Sequence, residues 1–190
     1  MILTEDQGYI SYNKAPLAMY WLQELIGPEK VHQALRSYLA KFGMRSTPLP
    51  TSRDLVGELR AVAGPEYQGL ITDLFEKIML YDVHMTAVSV KPVGGEYEVT
   101  MDIAARQFEA DAKGKEREVP LDTWFDIAVF PQSGQPILTQ TPLYQSHQKL
   151  HTGRQQVVVR VRQRPGAVGV DPYHLMIDRT PDDHILRVKV

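Results

Sequence analysis

The 190-residue chain contains no cysteine. Disulfides, thiolate nucleophiles and cysteine-ligated metal are therefore excluded, while the compartment stays open, because a cysteine-free chain suits either side of a membrane. Strong charge of one sign is also missing. Twenty-one Lys and Arg face 23 Asp and Glu, a formal net charge of −2, which gives no reason to expect nucleic acid or an anionic lipid surface as a partner. No apolar run approaches the ~18 residues of a membrane-spanning helix. The opening Met1-Ile2-Leu3-Thr4-Glu5-Asp6 lacks the basic and long apolar parts of a signal peptide. The chain as given is expected to be soluble. Gly-x-Ser-x-Gly is absent, and no serine and histidine stand at a spacing that points to a nucleophilic triad.

What is present reads as ordinary globular protein. Hydrophobic residues make up 43% and charged residues 23%, within the usual range for a soluble domain. The length allows one large domain or two small ones.

The first part reads as about four helices. Ala18, Trp21, Leu22 and Leu25 recur at helical spacing up to Gly27-Pro28. Pro28 suits a first helical position, and Glu29 favours the positive end of the helix dipole. The second helix shows Val31, Leu35, Tyr38, Leu39 and Phe42 as an apolar stripe, with Gly43 expected to close it in the left-handed conformation. Thr51-Ser52-Arg53-Asp54 is a capping signal for a third helix carrying Leu55, Leu59 and Val62. Gly64-Pro65-Glu66 repeats the punctuation of Gly27-Pro28-Glu29 and opens a fourth, with Leu70, Leu74, Phe75 and Ile78. Beyond that tripeptide the two halves do not match, so the likeness is shared punctuation rather than a solenoid repeat.

After Asp82 the period changes from helical to alternating. Residues 85–93 and 96–108 alternate around Gly94-Gly95, a hairpin turn signal. Further strands are expected at 119–121, 125–130, 143–150, 155–162, 173–177 and 185–190. About seven short strands with frequent turns argue an antiparallel sandwich of immunoglobulin-like type. The expected fold is α+β, with a helical segment over 1–82 and a β-sandwich over 83–190.

Several constellations invite a chemical reading. His147-Gln148-Lys149-Leu150-His151 copies the His-x-x-x-His zinc spacing but sits among strands, where the two Cβ atoms stand ~13 Å apart. One metal cannot bridge that gap, and glutamine replaces the general base. Arg160, Arg162 and Arg164 alternate with valines, the pattern of a solvated strand face; a phosphate-binding role would need further basic strands alongside. Asp178, Asp182 and Asp183 flank Thr180-Pro181 without EF-hand spacing and read as a solvated turn rather than a calcium site. Gly166 and Gly169 lack the lysine of a phosphate loop. No metal ligands and no cofactor-binding residues are expected in this chain.

The remaining feature is Tyr12-Asn13-Lys14-Ala15, at the head of the first helix. A phenol placed there keeps its proton at neutral pH and can donate to an oxyanion. Tyr9 and Tyr12, one turn apart, can equally pack with their hydroxyls at the rim. This segment, with its Leu/Met/Trp-rich helix, Ile26-Gly27-Pro28-Glu29 and a helix ending Tyr38-Leu39, resembles one region of the gluzincin zinc aminopeptidases, the aminopeptidase N family. Their Tyr-x-Lys-Gly motif opens a helix soon after the zinc-binding helices; here Ala15-Pro16 replaces the glycine and its follower. Asp73-Leu74-Phe75-Glu76-Lys77-Ile78 with Leu80-Tyr81-Asp82 resembles the branch fused behind a permease of ABC-transporter type.

The resemblance implies that Tyr12 is the catalytic, oxyanion-stabilising tyrosine. It also implies that the chain is the C-terminal part of a metallopeptidase, inactive alone. The zinc would belong to the parent enzyme, held by an upstream zinc-binding domain of the same chain, with a peptide as substrate and a membrane-associated parent. The competing expectation is a non-enzymatic interaction module, an immunoglobulin-like sandwich on a helical neck.

Overall fold

A computed structural model describes residues 14–44 and 48–188. Four helices come first, and antiparallel strands in two sheets follow, giving an α+β fold with a β-sandwich. The chain divides into two compact units, Met1–Ile78 and Met79–Val190. No described helix is long and apolar enough to cross a membrane.

In the first unit, α1 (Ala15–Ile26) has Pro16 in its first turn and buries Ala18, Trp21, Leu22 and Ile26. That i, i+3, i+4, i+8 set forms one face of a 3.6-residue helix. α2 (Pro28–Phe42) buries Val31 and Ala34. Of the expected stripe Leu35, Tyr38 and Phe42 are half-buried, and only Leu39, at 64% exposed, falls off it. Gly43 is extended (φ −61°) and not left-handed. Its N–H already bonds the carbonyl of Leu39 at 2.7 Å, and the left-handed residue is Met44, one position on.

α3 (Ser52–Val62) begins with a capping box, in which the Asp54 carboxylate accepts the Thr51 N–H at 2.7 Å. Such reciprocal capping satisfies donors that the first turn cannot pair internally. A 3₁₀ turn, Pro65–Tyr67, leads into α4 (Gln68–Phe75), which buries Leu70, Ile71 and Leu74. Polar clamps join neighbouring helices at their rims. Glu58 on α3 accepts from Ser37 and Lys41 on α2, and Arg60 on α3 donates to Thr72 on α4 and to Glu76 just beyond it.

Ile78, expected at the end of the fourth helix, instead opens β1 (Ile78–Val93). Met79, Tyr81, Val83 and Met85 are buried in strict alternation, a period that only an extended strand can satisfy. Leu80-Tyr81-Asp82 therefore belong to the strand. Gly94 and Gly95, both at positive φ, make the two-residue turn into β2 (Glu96–Ala110). The first sheet has the order β1-β2-β3, with β3 spanning Glu116–Val119. β6 (Gly153–Val161) also pairs with β2, taking Tyr97 to Ala105, whereas β3 takes Gln107 to Ala110.

The second sheet has the order β5-β4-β7-β8, from β4 (Asp122–Pro131), β5 (Tyr144–His151), β7 (Pro165–Val170) and β8 (Ile185–Arg187). The inner faces share a core that includes Val83, Met101, Ile103, Phe125, Ile127 and Val168. Tyr81 meets Phe125 edge to face at 5.7 Å between centroids.

The strand expected at 119–121 is displaced, since β3 ends at Val119 and residues 120 and 121 are irregular, and two further readings fail. Residues 173–177 are irregular, and β7 occupies a stretch, Pro165-Gly166-Ala167-Val168-Gly169-Val170, that reads as a loop. β7 lies between β4 and β8 and is buried along most of its length. Small residues are needed there because neighbouring backbone comes close. A Cβ on Gly166 would stand 2.5 Å from Gln132 Cα and 2.8 Å from the Pro131 carbonyl oxygen, beside the register shift at Phe130/Pro131. Of the strand expected over 185–190, Ile185–Arg187 forms β8, and residues 189 and 190 lie outside the described residues.

Gly166→Ala is expected to lower stability by about 1–3 kcal/mol, the scale of overpacking in a closed site. Gly134→Ala, where an added Cβ meets nothing within 4 Å, is the control and should change little. Urea unfolding followed by near-UV circular dichroism of both variants measures the difference.

Candidate functional site

Tyr12, the one residue to which the sequence assigns catalysis, lies outside the described residues. Its neighbour Lys14 is described. From the start of α1, Lys14 Nζ donates to the Lys77 carbonyl oxygen at 2.7 Å, just past the end of α4. Burial holds its ammonium below the usual lysine range. The contact ties the head of α1 to the chain just beyond α4. Ala15 and Pro16 follow directly as the first turn of α1.

The His-x-x-x-His spacing is on a strand. His147 and His151 both belong to β5, opposite Asp126 and Asp122 of β4. His151 Nδ1 lies 2.9 Å from Asp122 Oδ1 at the exposed rim. These residues do not fit a peptidase zinc. Arg160 and Arg162 on β6 and its end meet Glu98 and Glu96 across the sheet, a solvated and charge-paired face.

The reading of Asp178 and Asp183 as a solvated turn is overturned, and only Asp182 of the three aspartates is exposed. Between β7 and β8 the chain folds inward around Asp171, which is 1% exposed. Both Asp171 and His174 adopt left-handed backbone, at φ 43° and 54°, conformations uncommon for residues other than glycine. The Asp171 carboxylate accepts the N–H groups of Leu175 (2.9 Å) and Met176 (3.0 Å). Its carbonyl oxygen accepts the His174 N–H (3.0 Å) and faces His184 Nδ1 at 3.1 Å. A carbonyl oxygen only accepts, so Nδ1 carries the proton and Nε2 is left to face the other way.

Nε2 of His184 faces a carboxylate. Asp178 Oδ2 lies 3.4 Å away, outside hydrogen-bonding geometry, and Nε2 is buried with no hydrogen-bond partner. Asp178 is itself fixed, accepting the Val83 N–H of β1 at 2.8 Å through Oδ2 and the Thr180 N–H at 2.8 Å through Oδ1. Asp183 is the third member, with Oδ1 buried and likewise unpartnered. One ligating atom from each of Asp178, Asp183 and His184 lies within 4.8 Å of the other two. His174 stacks on His184, 5.3 Å between centroids and 13° from parallel.

Burial opposes charge throughout the group, and the contacts decide which member stays ionised. Burial pushes Asp171 up to about 7, against the pull of the Met176 and Leu175 N–H groups. Burial also presses Asp178 upward, but His184 and the N–H groups of Thr180 and Val83 outweigh it, leaving that carboxyl below its ordinary value. For His184 burial works downward, and the Asp178 carboxylate with the Asp171 carbonyl reverses it, so the ring is more basic than usual. Burial raises Asp183 and lowers His174. The arrangement favours a positive centre beside Nε2, held between two carboxylates.

No protein-family model and no curated protein matches this chain. Its chemistry therefore rests on its own residues. The sequence placed the aspartates of this group together but had no signal for His184, which looks like one more polar residue before a short strand.

Lys14→Ala is expected to destabilise the helical unit by about 1.5–3 kcal/mol, the range for a hydrogen bond involving a charged group. Lys14→Arg should retain part of the contact. Helical circular dichroism during urea unfolding distinguishes the two.

Proposed function

We propose that this chain is the C-terminal helical segment and β-sandwich of a zinc aminopeptidase of the aminopeptidase N family, and that Tyr12 is its catalytic contribution. The observation that carries the reading is Tyr12-Asn13-Lys14-Ala15 leading directly into α1. Two further features support it. Helices precede the sandwich, in the order expected for the end of such an enzyme. Lys14 is engaged with a backbone carbonyl, which leaves the tyrosine as the group of the motif with chemistry to perform.

The ligands of the catalytic zinc belong to the upstream domain of the proposed parent, whose membrane association follows from the permease-fused branch. The role of this chain is electrostatic. A phenol of pKa ~10 stays protonated at neutral pH, and its O–H donates to the oxygen that becomes negative when a peptide carbonyl is attacked. A donor placed in advance strengthens as charge develops, so its contribution appears in turnover more than in substrate binding.

In a protein that carries this chain behind its zinc domain, Tyr12→Phe is expected to preserve folding and zinc content. The variant should lower kcat on aminoacyl reporter peptides by ~10²–10³, the scale for one lost oxyanion donor. Wild-type turnover in the variant would remove Tyr12 from the chemistry. A parent reading frame without His-Glu-x-x-His and a glutamate ~20 residues later would favour the interaction module instead.

A further inference from the structure

We propose that Asp178, Asp183 and His184 form a binding site for a zinc-class divalent ion in the sandwich unit, separate from any catalytic zinc of a parent enzyme and independent of that assignment. Three observations converge on it. The first is the fixed tautomer of His184, whose Nδ1 faces the Asp171 carbonyl at 3.1 Å. A metal-ligating histidine characteristically spends its other ring N–H in this way, which orients the ring and makes the free nitrogen more basic.

The second is the geometry at Nε2. Unprotonated, this nitrogen would present a lone pair to a carboxylate oxygen 3.4 Å away, so a positive charge, a ring proton or a metal ion, belongs between the two. Two ligands bound at about 2.05 Å with a tetrahedral angle stand about 3.4 Å apart. The separation is long for a hydrogen bond and normal for two ligands of one zinc-like ion.

The third is burial without partners. His184 is 0% exposed, and neither its Nε2 nor Asp183 Oδ1 has a hydrogen-bond partner. Buried polar atoms are paired in the great majority of cases; here two such atoms belong to the same three-residue group. Asp178 is anchored by two backbone N–H groups, and His184 by the Asp171 carbonyl. Asp183, at the end of the 3₁₀ turn Pro181–Asp183, is the ligand with freedom to close the set around an ion.

One imidazole and two carboxylates suit zinc better than calcium, which takes six or more oxygen ligands. Three protein ligands leave a fourth position for water. The ion would pin the irregular segment between β7 and β8 to β1, the strand whose Val83 N–H already bonds Asp178.

The test uses the 190-residue chain stripped with chelator and dialysed. Titration with Zn²⁺ should show one ion per chain and a rise in Tm, and Co²⁺ should give the intense visible bands of a tetrahedral site. Asp183→Asn should fold as the parent does by circular dichroism yet bind zinc more than about tenfold more weakly. Asp182→Asn and His151→Asn, which alter exposed groups nearby and on β5, should bind as the parent does. Absence of stoichiometric zinc, undiminished binding by Asp183→Asn, or a preference for calcium would each overturn the proposal. The Nε2–Asp178 contact would then stand as an imidazolium–carboxylate pair.

Discussion

A carboxylate withdrawn from water must find its hydrogen bonds in the protein, and at Asp171 it finds them in the backbone that it folds. Its two oxygens take the N–H groups of Leu175 and Met176, and its carbonyl takes His174 and the ring of His184. The Asp171 N–H in turn bonds the Asp126 carbonyl of β4. One residue thus fixes the path of the segment from β7 to β8, and with it the positions of His184 and Asp178. The left-handed backbone at Asp171 and His174 is held against its intrinsic cost by this network. Each bond alone is modest, but an unpaired partner at such depth is expensive, so the set holds together or fails together.

The two units reach stability by different means. In the sandwich, β1 and β2 bury one face by alternation while β4 and β7 are buried on both, and Met101, Ile103, Phe125, Ile127 and Val168 are sealed almost completely. The helical unit has a smaller sealed set, with Trp21, Leu22, Leu59 and Ile71 at its centre. Rim contacts join its neighbouring helices, through Glu58 to Ser37 and Lys41 and through Arg60 to Thr72 and Glu76. Exposed ion pairs contribute little each, so the apolar faces remain the main source of stability there.

The two proposals draw on separate chemistry. Tyr12 would act through a protonated donor aimed at developing negative charge, a role in turnover. The Asp178–Asp183–His184 group would act through a positive centre held by fixed ligands, a role in shape. A sandwich closed by an ion at its irregular end would present its surface more rigidly, whether that surface serves an enzyme or a binding partner.

The sequence by itself determined the division into helices and strands, because that follows from local period: Ala18, Trp21 and Leu22 repeat as a helix, and Tyr97, Val99, Met101 and Ile103 alternate as a strand. It also determined the capping box of α3 and the glycine turn between β1 and β2, which depend on a few adjacent residues. Where tertiary surroundings set the rule, local reading failed. Gly166 looks like a loop residue until the Pro131 and Gln132 backbone packed against β7 shows why bulk is excluded there, and Gly169 is hemmed in by the Pro172 and Ile185 side chains. Leu39 fits a helical stripe yet remains exposed, on the side of α2 turned away from α3, which reaches Ser37 and Lys41. Asp178 and His184 are ordinary polar residues until the fold turns their segment inward against β1 and removes their water. Only the tertiary structure could bring them together, because burial and the direction of a ring nitrogen are properties of packing rather than of spacing.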